Sequence, residues 1–156
     1  MTRQSLLRLV SGNFPTLASN LLRPVLDFLT ISRAACGGDG DKFLILLVVG
    51  MRTVEHKDFA GYSQAQLLSG EVPVFPSLGV NIQSIADSIG APKETVRRKV
   101  TDLVAAGWIA RRGHELYITA HAYRDLAPVR EQLEAMAVAN YELVQSLRRD
   151  PDAAEG

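Results

Sequence analysis

Ala86, Gly90 and Val96 stand at a spacing that few folds can use. Asn81 offers a side-chain oxygen to open a helix from Ile82, with Ile85, Ala86 and Ile89 as its apolar face. That helix runs to about Ser88, and Gly90 then enters the left-handed backbone region at no steric cost. Pro92 falls in the first turn of a second helix, where its missing N–H costs nothing, and Gly107 closes that helix after Ala106. Two helices joined so tightly need a small residue where they cross, which Ala86 supplies, and a plug between them, which Val96 supplies. The spacing predicts a helix-turn-helix, and it is far more specific than any single residue in it.

The next residues extend the pattern. Trp108-Ile109-Ala110-Arg111-Arg112 and Glu115-Leu116-Tyr117-Ile118-Thr119 read as two short strands around a Gly113-His114 turn. A hairpin directly after a helix-turn-helix makes a winged helix. The expected fold class is therefore mainly α: a winged helix-turn-helix over 80–119 with a small β-hairpin wing, between N-terminal helices and a long C-terminal dimerisation helix.

Overall charge is uninformative, because Lys plus Arg is 17 and Asp plus Glu is also 17. The local balance is not. From Asn81 to His114 the cations are Lys93, Arg97, Arg98, Lys99, Arg111 and Arg112, against Asp87, Glu94 and Asp102. A basic patch on a neutral chain is the footprint of a DNA-binding face. The helix 92–106 would lie in the major groove, with Lys93, Glu94, Thr95, Arg97, Arg98 and Lys99 on its outer side. The wing 108–119 would carry Arg111, Arg112 and His114 to the backbone or minor groove. Arg97 and Lys99 are expected at phosphates, which position a protein without specifying sequence. A winged helix used only for protein contacts is the plainer alternative, and so many cations on one helix and its wing speak against it.

The run Ile85-Ala86-Asp87-Ser88-Ile89-Gly90-Ala91-Pro92-Lys93-Glu94-Thr95-Val96-Arg97-Arg98 resembles the helix-turn-helix of the Crp/Fnr family of bacterial regulators. Leu103-Val104-Ala105-Ala106-Gly107-Trp108-Ile109 is similar to that family's lead into its wing. The resemblance covers roughly a quarter of the chain. It implies base reading by an Arg-Glu pair at the helix start and an Arg one turn later, which map to Lys93, Glu94 and Arg98. Lys93 departs from the family's Arg, and an ammonium cannot make the same bidentate contact with guanine. No cyclic-nucleotide-binding barrel is expected ahead of the motif, since the first half reads as helical. Helices on both sides of the winged helix resemble instead the chain order of MarR-type regulators.

Residues 1–16 read as a loosely held arm, ending at Phe14-Pro15. A helical part and a connecting segment follow over 17–79. Leu17, Leu21, Leu22, Val25 and Leu29 have helical spacing, interrupted by Pro24. Cys36-Gly37-Gly38-Asp39-Gly40 is a break. A second helix over 41–56 is apolar on every face from Phe43 to Val49, which predicts burial all round, either by its own domain or by a second copy of the chain. Gly61, Gly70, Pro73, Pro76 and Gly79 mark 59–80 as a long connection, functional or mobile, with one helical turn at 64–68.

Thr119 can cap a helix over 120–150, and 151–156 reads as a frayed polar tail. Leu126, Val129, Leu133, Met136, Asn140, Leu143 and Leu147 alternate in steps of three and four, a heptad seam with Asn140 as a register device. Pro128 marks a kink or the true start of the straight segment. The seam packs on residues 17–56 or on a second copy. A homodimer is expected, because one basic helix reads only half of a two-fold site.

No catalytic constellation emerges. His56, His114 and His121 belong to no metal-ligand motif, and neither a metal nor a cofactor is expected. Cys36 is the lone cysteine, which rules out an internal disulfide and leaves redox sensing open. Met1–Val10 lacks the apolar core and cleavage site of a signal peptide. The apolar run Phe43–Met51 falls short of the ~20 residues a bilayer needs. A cytoplasmic protein without a membrane partner is expected. Its partners would be double-stranded DNA, a second copy and, if a pocket exists, a small-molecule effector. The expected function is sequence-specific transcriptional regulation. A winged-helix protein-interaction or assembly module and a plasmid or phage replication or partition factor are the alternatives.

Overall fold

The computed structural model describes residues 1–149; the tail 151–156 and position 150 lie outside the described residues. The chain is mainly helical with one small antiparallel sheet, as expected. It divides into two compact units. One joins Met1–Ile31 to the residues from Pro128 onward; the other is Ser32–Ala127.

In the first unit, α1 (Arg3–Gly12) and the start of α2 (Phe14–Ala35) occupy the stretch expected to be a loose arm. Thr2 caps α1 by accepting the Ser5 N–H at 3.2 Å. The Asn13 side chain donates to the Leu9 carbonyl at 2.8 Å and closes the turn into α2. Phe14-Pro15 therefore starts a helix, because proline suits a first turn as well as it suits a loop. Pro24 lies inside α2, which runs on through it. The expected long C-terminal helix is two helices: α7 (Ala120–Asp125), which belongs to the second unit, ends at Leu126, and α8 (Ala127–Arg149) begins with Pro128 in its first turn. Along α8 the expected seam is unevenly covered: Val129 is buried, Met136, Leu143 and Leu147 are half-buried, and Leu133 and Asn140 are exposed.

The second unit is built on α3 (Gly40–Val54). Its N-cap is Asp39, whose carboxylate accepts the Lys42 N–H at 3.1 Å. Phe43, Ile45, Leu46 and Val49 are buried, but Leu44, Leu47 and Met51 are 42–51% exposed. Within the chain, burial of this helix is confined to one side, and the expected cover of the other side by a second copy belongs to the homodimer proposal. After a 3-10 turn at Phe59–Gly61, α4 (Gln64–Ser69) begins with a reciprocal cap between Ser63 and Gln66.

Then come α5 (Ile82–Ile89), α6 (Lys93–Ala105), β1 (Ile109–Arg112) and β2 (Glu115–Ile118). The strands pair antiparallel with Ile109 opposite Ile118 and Arg112 opposite Glu115. Inward-facing Ile109, Leu116 and Ile118 join Ile85, Val96, Val100 and Leu103 in one core.

The connection before α5 is pinned along the free edge of β2. Phe75 N–H donates to Ile118 O at 3.0 Å, and Leu116 N–H donates to Val80 O at 2.9 Å. Arg52 of α3 holds it from the other side, its Nε donating to Gly79 O at 3.0 Å. Covering a strand edge satisfies backbone groups that would otherwise pair with another chain. Phe75 anchors the segment, 1% exposed, with the rings of Phe59 and Tyr123 edge-on at 6.1 and 5.5 Å.

Ile85 is fully buried where α3, α5 and α6 meet. Ile85→Ala is expected to cost about 2–5 kcal/mol, the usual penalty for emptying such a site. Urea denaturation followed by circular dichroism measures it.

Candidate nucleic-acid interface

The turn between α5 and α6 has the geometry its residues demand. Asn81 accepts the Ser84 N–H at 2.9 Å, opening α5. Gly90 closes it at φ 68°, and Ala91 N–H reaches back to Ala86 O at 3.2 Å. Ala86 and Val96 are both buried, so the short side chain and the plug meet the tight crossing for which their sizes suit them. At the far end of α6, Gly107 turns the chain at φ 77° and Trp108 N–H donates to Leu103 O at 3.0 Å. Thr119 secures the base of the hairpin, its hydroxyl donating to Gly107 O at 2.6 Å while also capping α7.

This framework gathers four of the nine residues singled out from the sequence. Lys93 and Arg97 of α6, with Arg111 and His114 of the hairpin, line one hollow of about 370 Å³. Asn81 and Gln83, at the start of α5, complete it. The first backbone N–H groups of a helix lack intrahelical partners, so this end adds positive potential to the same hollow. Among the described residues, no ion pair engages Lys93, Arg98 or Arg111. A concave surface with free cations on two walls suits a phosphodiester backbone.

The other five stand apart from the hollow's lining. Glu94 is exposed and pairs with Arg97 at 3.4 Å across one turn of α6. Arg98 is exposed, and Thr95 is half-buried. Arg112 lies over the Tyr117 ring, 5.4 Å from its centre. Tyr117 in turn donates to Glu115 at 2.8 Å, and that hydrogen bond, with burial and the Glu115 charge adding to it, raises the phenol's pKa against the opposing pull of Arg112. Gly79 packs on the Glu115 carboxylate, where a β-carbon would come within 2.6 Å of it.

Lys99 departs furthest from expectation. Its ammonium does not face outward with Arg98. It donates to Asp39 at 2.9 Å and Asp41 at 3.3 Å, and its side chain is only 15% exposed. The reason is helical spacing: Lys99 lies three residues after Val96 and four before Leu103, both buried. The hydrogen bond to Asp39 raises its pKa, opposed by partial burial and helped by Asp41. One turn on, Asp102 meets Lys42 at 3.2 Å.

Asp39 shares one oxygen between the Lys99 ammonium and the Lys42 N–H. Burial alone would raise its pKa, but these two donors and the nearby positive charges outweigh it and hold the carboxyl below its ordinary range. Cys36, in the same turn, is buried. Desolvation first, and then the Asp39 charge, push its thiol up to about 11 despite Lys42, so it is essentially all thiol at neutral pH. Among the described residues, no group of three or more His, Cys, Asp or Glu could hold a metal ion. No described helix is long and apolar enough to cross a membrane. The chain matches no protein-family model, no curated protein and no solved structure.

Because the Asp39 carboxyl has a depressed pKa in the folded chain, its charge stabilises the fold above the unfolded carboxyl's pKa of about 3.9. That contribution is lost as pH falls through the lower folded value. Asp39→Asn keeps a good helix cap and removes the charge. The variant is expected to be less stable than the parent at pH 7 and to converge with it once pH has fallen through the depressed folded value. Thermal melts across that range measure the difference.

Proposed function

We propose that the chain is a double-stranded-DNA-binding protein in which α5, α6 and the hairpin act as a winged helix-turn-helix. In this reading it regulates transcription in the cytoplasm by occupying a two-fold symmetric site as a homodimer. The single observation that carries it is the hollow between α6 and the hairpin, where Lys93, Arg97, Arg111 and His114 converge. α6 would enter the major groove by its N-terminal half, with Lys93, Glu94 and Arg98 at base edges. Arg97 and Arg111 would straddle a phosphate strand, and Arg112 and His114 would extend that grip along the wing. Lys99 is left out of the contact set because its ammonium is already engaged by two carboxylates.

The homodimer draws on apolar surface that is exposed among the described residues of the first unit. Leu22, Val25, Leu26 and Leu29 of α2 are 44–60% exposed, as are Leu133 at 50% and Val138 at 57% on α8. The four α2 residues recur at helical spacing on one face, and an exposed apolar stripe of this kind marks association sites in soluble proteins. In this assembly each copy would bring one α6 to one half-site.

Two measurements test the reading. The full chain is first used to select its site from random DNA, and affinity is then followed against salt. Binding should weaken steeply with salt on every sequence. Arg111→Ala should weaken selected and random DNA alike and lower the salt slope by about 1, whereas Arg98→Ala should cost about 1–3 kcal/mol on the selected site alone. Absence of binding at low salt would sink the proposal. For the dimer, sedimentation of Leu26→Asp/Leu133→Asp is expected to give monomers where the parent gives dimers. A parent that sediments as a monomer at micromolar concentration would refute that part.

A further inference from the structure

Lys99 and Asp102 lie one turn apart on the same side of α6, and each meets its opposite charge at the N-terminal end of α3. The Lys99 ammonium bridges Asp39 and Asp41 at 2.9 and 3.3 Å, and the Asp102 carboxylate meets Lys42 at 3.2 Å. The charges are ordered, not merely balanced. α6 presents a cation and then an anion, while the start of α3 presents Asp39, Asp41 and then Lys42. Shifting α6 along its axis by a turn, about 5.4 Å, would bring like charges together. The apolar layer beneath, with Val96, Val100 and Leu103 against α3 and α5, resists separation of the helices but is non-directional. Val96 seated at the Ala86 crossing limits how far α6 can move. The ordered ion pairs add to that fit a charge pattern that favours one roll and register of α6 over its neighbours.

The acidic half of the pairing is itself held. Asp39 follows Gly37 and Gly38, both with positive φ, and the Arg33 guanidinium donates to Gly38 O at 2.8 Å. Asp39 is also tied to α3 as its N-cap. The carboxylate that grips Lys99 is therefore held by the Lys42 N–H, and the turn that carries it is held by Arg33.

We infer that Lys99 is a positioning residue for sequence discrimination: the Asp39–Lys99–Asp41 and Lys42–Asp102 pairs set the roll and axial register of α6, and so determine which edge it offers to bases. This inference rests on the proposal that α6 reads DNA. It makes a different statement about Lys99 from that of a phosphate contact, since a positioning residue alters the ratio of selected to random binding and a phosphate contact alters both equally.

The test uses the full chain with Lys99→Met, Lys99→Arg and the charge exchange Lys42→Asp/Asp102→Lys. Two readouts are taken on each: affinity for the selected and for random DNA, and amide hydrogen exchange without DNA. Lys99→Met is expected to lose about tenfold in discrimination, the effect of one mismatched base pair, with random-DNA affinity changed by less than about twofold. Its α6 amides should exchange faster while those of β2 are unchanged. Lys99→Arg should restore both values, and the charge exchange should outperform either single substitution within it. Equal loss on selected and random DNA overturns the inference, as does unchanged discrimination with unchanged α6 exchange. Should Lys99→Met fail to fold, the charge exchange and its single variants decide between the same two outcomes. If the parent binds no DNA, the DNA-reading proposal fails, and hydrogen exchange still decides whether the pairs hold α6 in place.

Discussion

Burial of one side of α3 organises Ser32–Ala127. Ile45 and Val49 are completely shielded from solvent, and α3 packs against β2, α5 and α6. α5 and α6 cross where Ala86 is small enough to admit α6 and Val96 fills the space that remains. The hairpin is then held from two directions: Ile109, Leu116 and Ile118 enter the core, and the segment ahead of α5 pairs with the free edge of β2. Remove the α3 surface and these elements would have only each other to pack against. A pair of short helices and a two-stranded hairpin do not bury enough apolar area to stand alone.

On that base the electrostatics separate into two layers. Facing α3, charges are paired: Lys99, largely covered, with Asp39 and Asp41, and the more exposed Asp102 with Lys42. Facing the hollow, Lys93 and Arg111 are exposed and have no ion-pair partner among the described residues, and Arg97 pairs with the exposed Glu94. A single helix thus uses one set of charges to settle its own placement and offers another to a partner. In the proposed function the first set governs which bases are met, and the second how strongly any DNA is held.

Much of this arrangement was legible in the residue order, because it depends on local rules. Gly90, Gly107 and Gly113 each adopt positive φ at a turn expected from its surroundings, and Asn81 and Thr119 cap the helices they precede. The register of the hairpin follows from its two-residue turn. Local rules also misled. Phe14-Pro15 reads equally as the end of an arm or the start of a helix, and the structure makes it the start of α2. The apolar centre of α3 pointed to burial all round by its own domain or by a second copy; its own unit covers one side, leaving Leu44 and Leu47 half-exposed. Lys99 carries its signal in its spacing from Val96 and Leu103, which places it on the covered side of α6 despite its charge.

The residue sequence by itself determined the mainly helical class, the tight turn, the hairpin and the local excess of cations, since each follows from backbone preferences or composition within a few residues. Only the tertiary structure decided which cations are free. Lys93 and Arg111 stand more than fifteen residues apart and line one hollow because the hairpin folds back beside α6. Lys99 is taken out of that set by Asp39, sixty residues earlier in the chain. Whether a charge is available to a partner depends on what lies within about 4 Å of it, and distance along the chain carries almost no information about that.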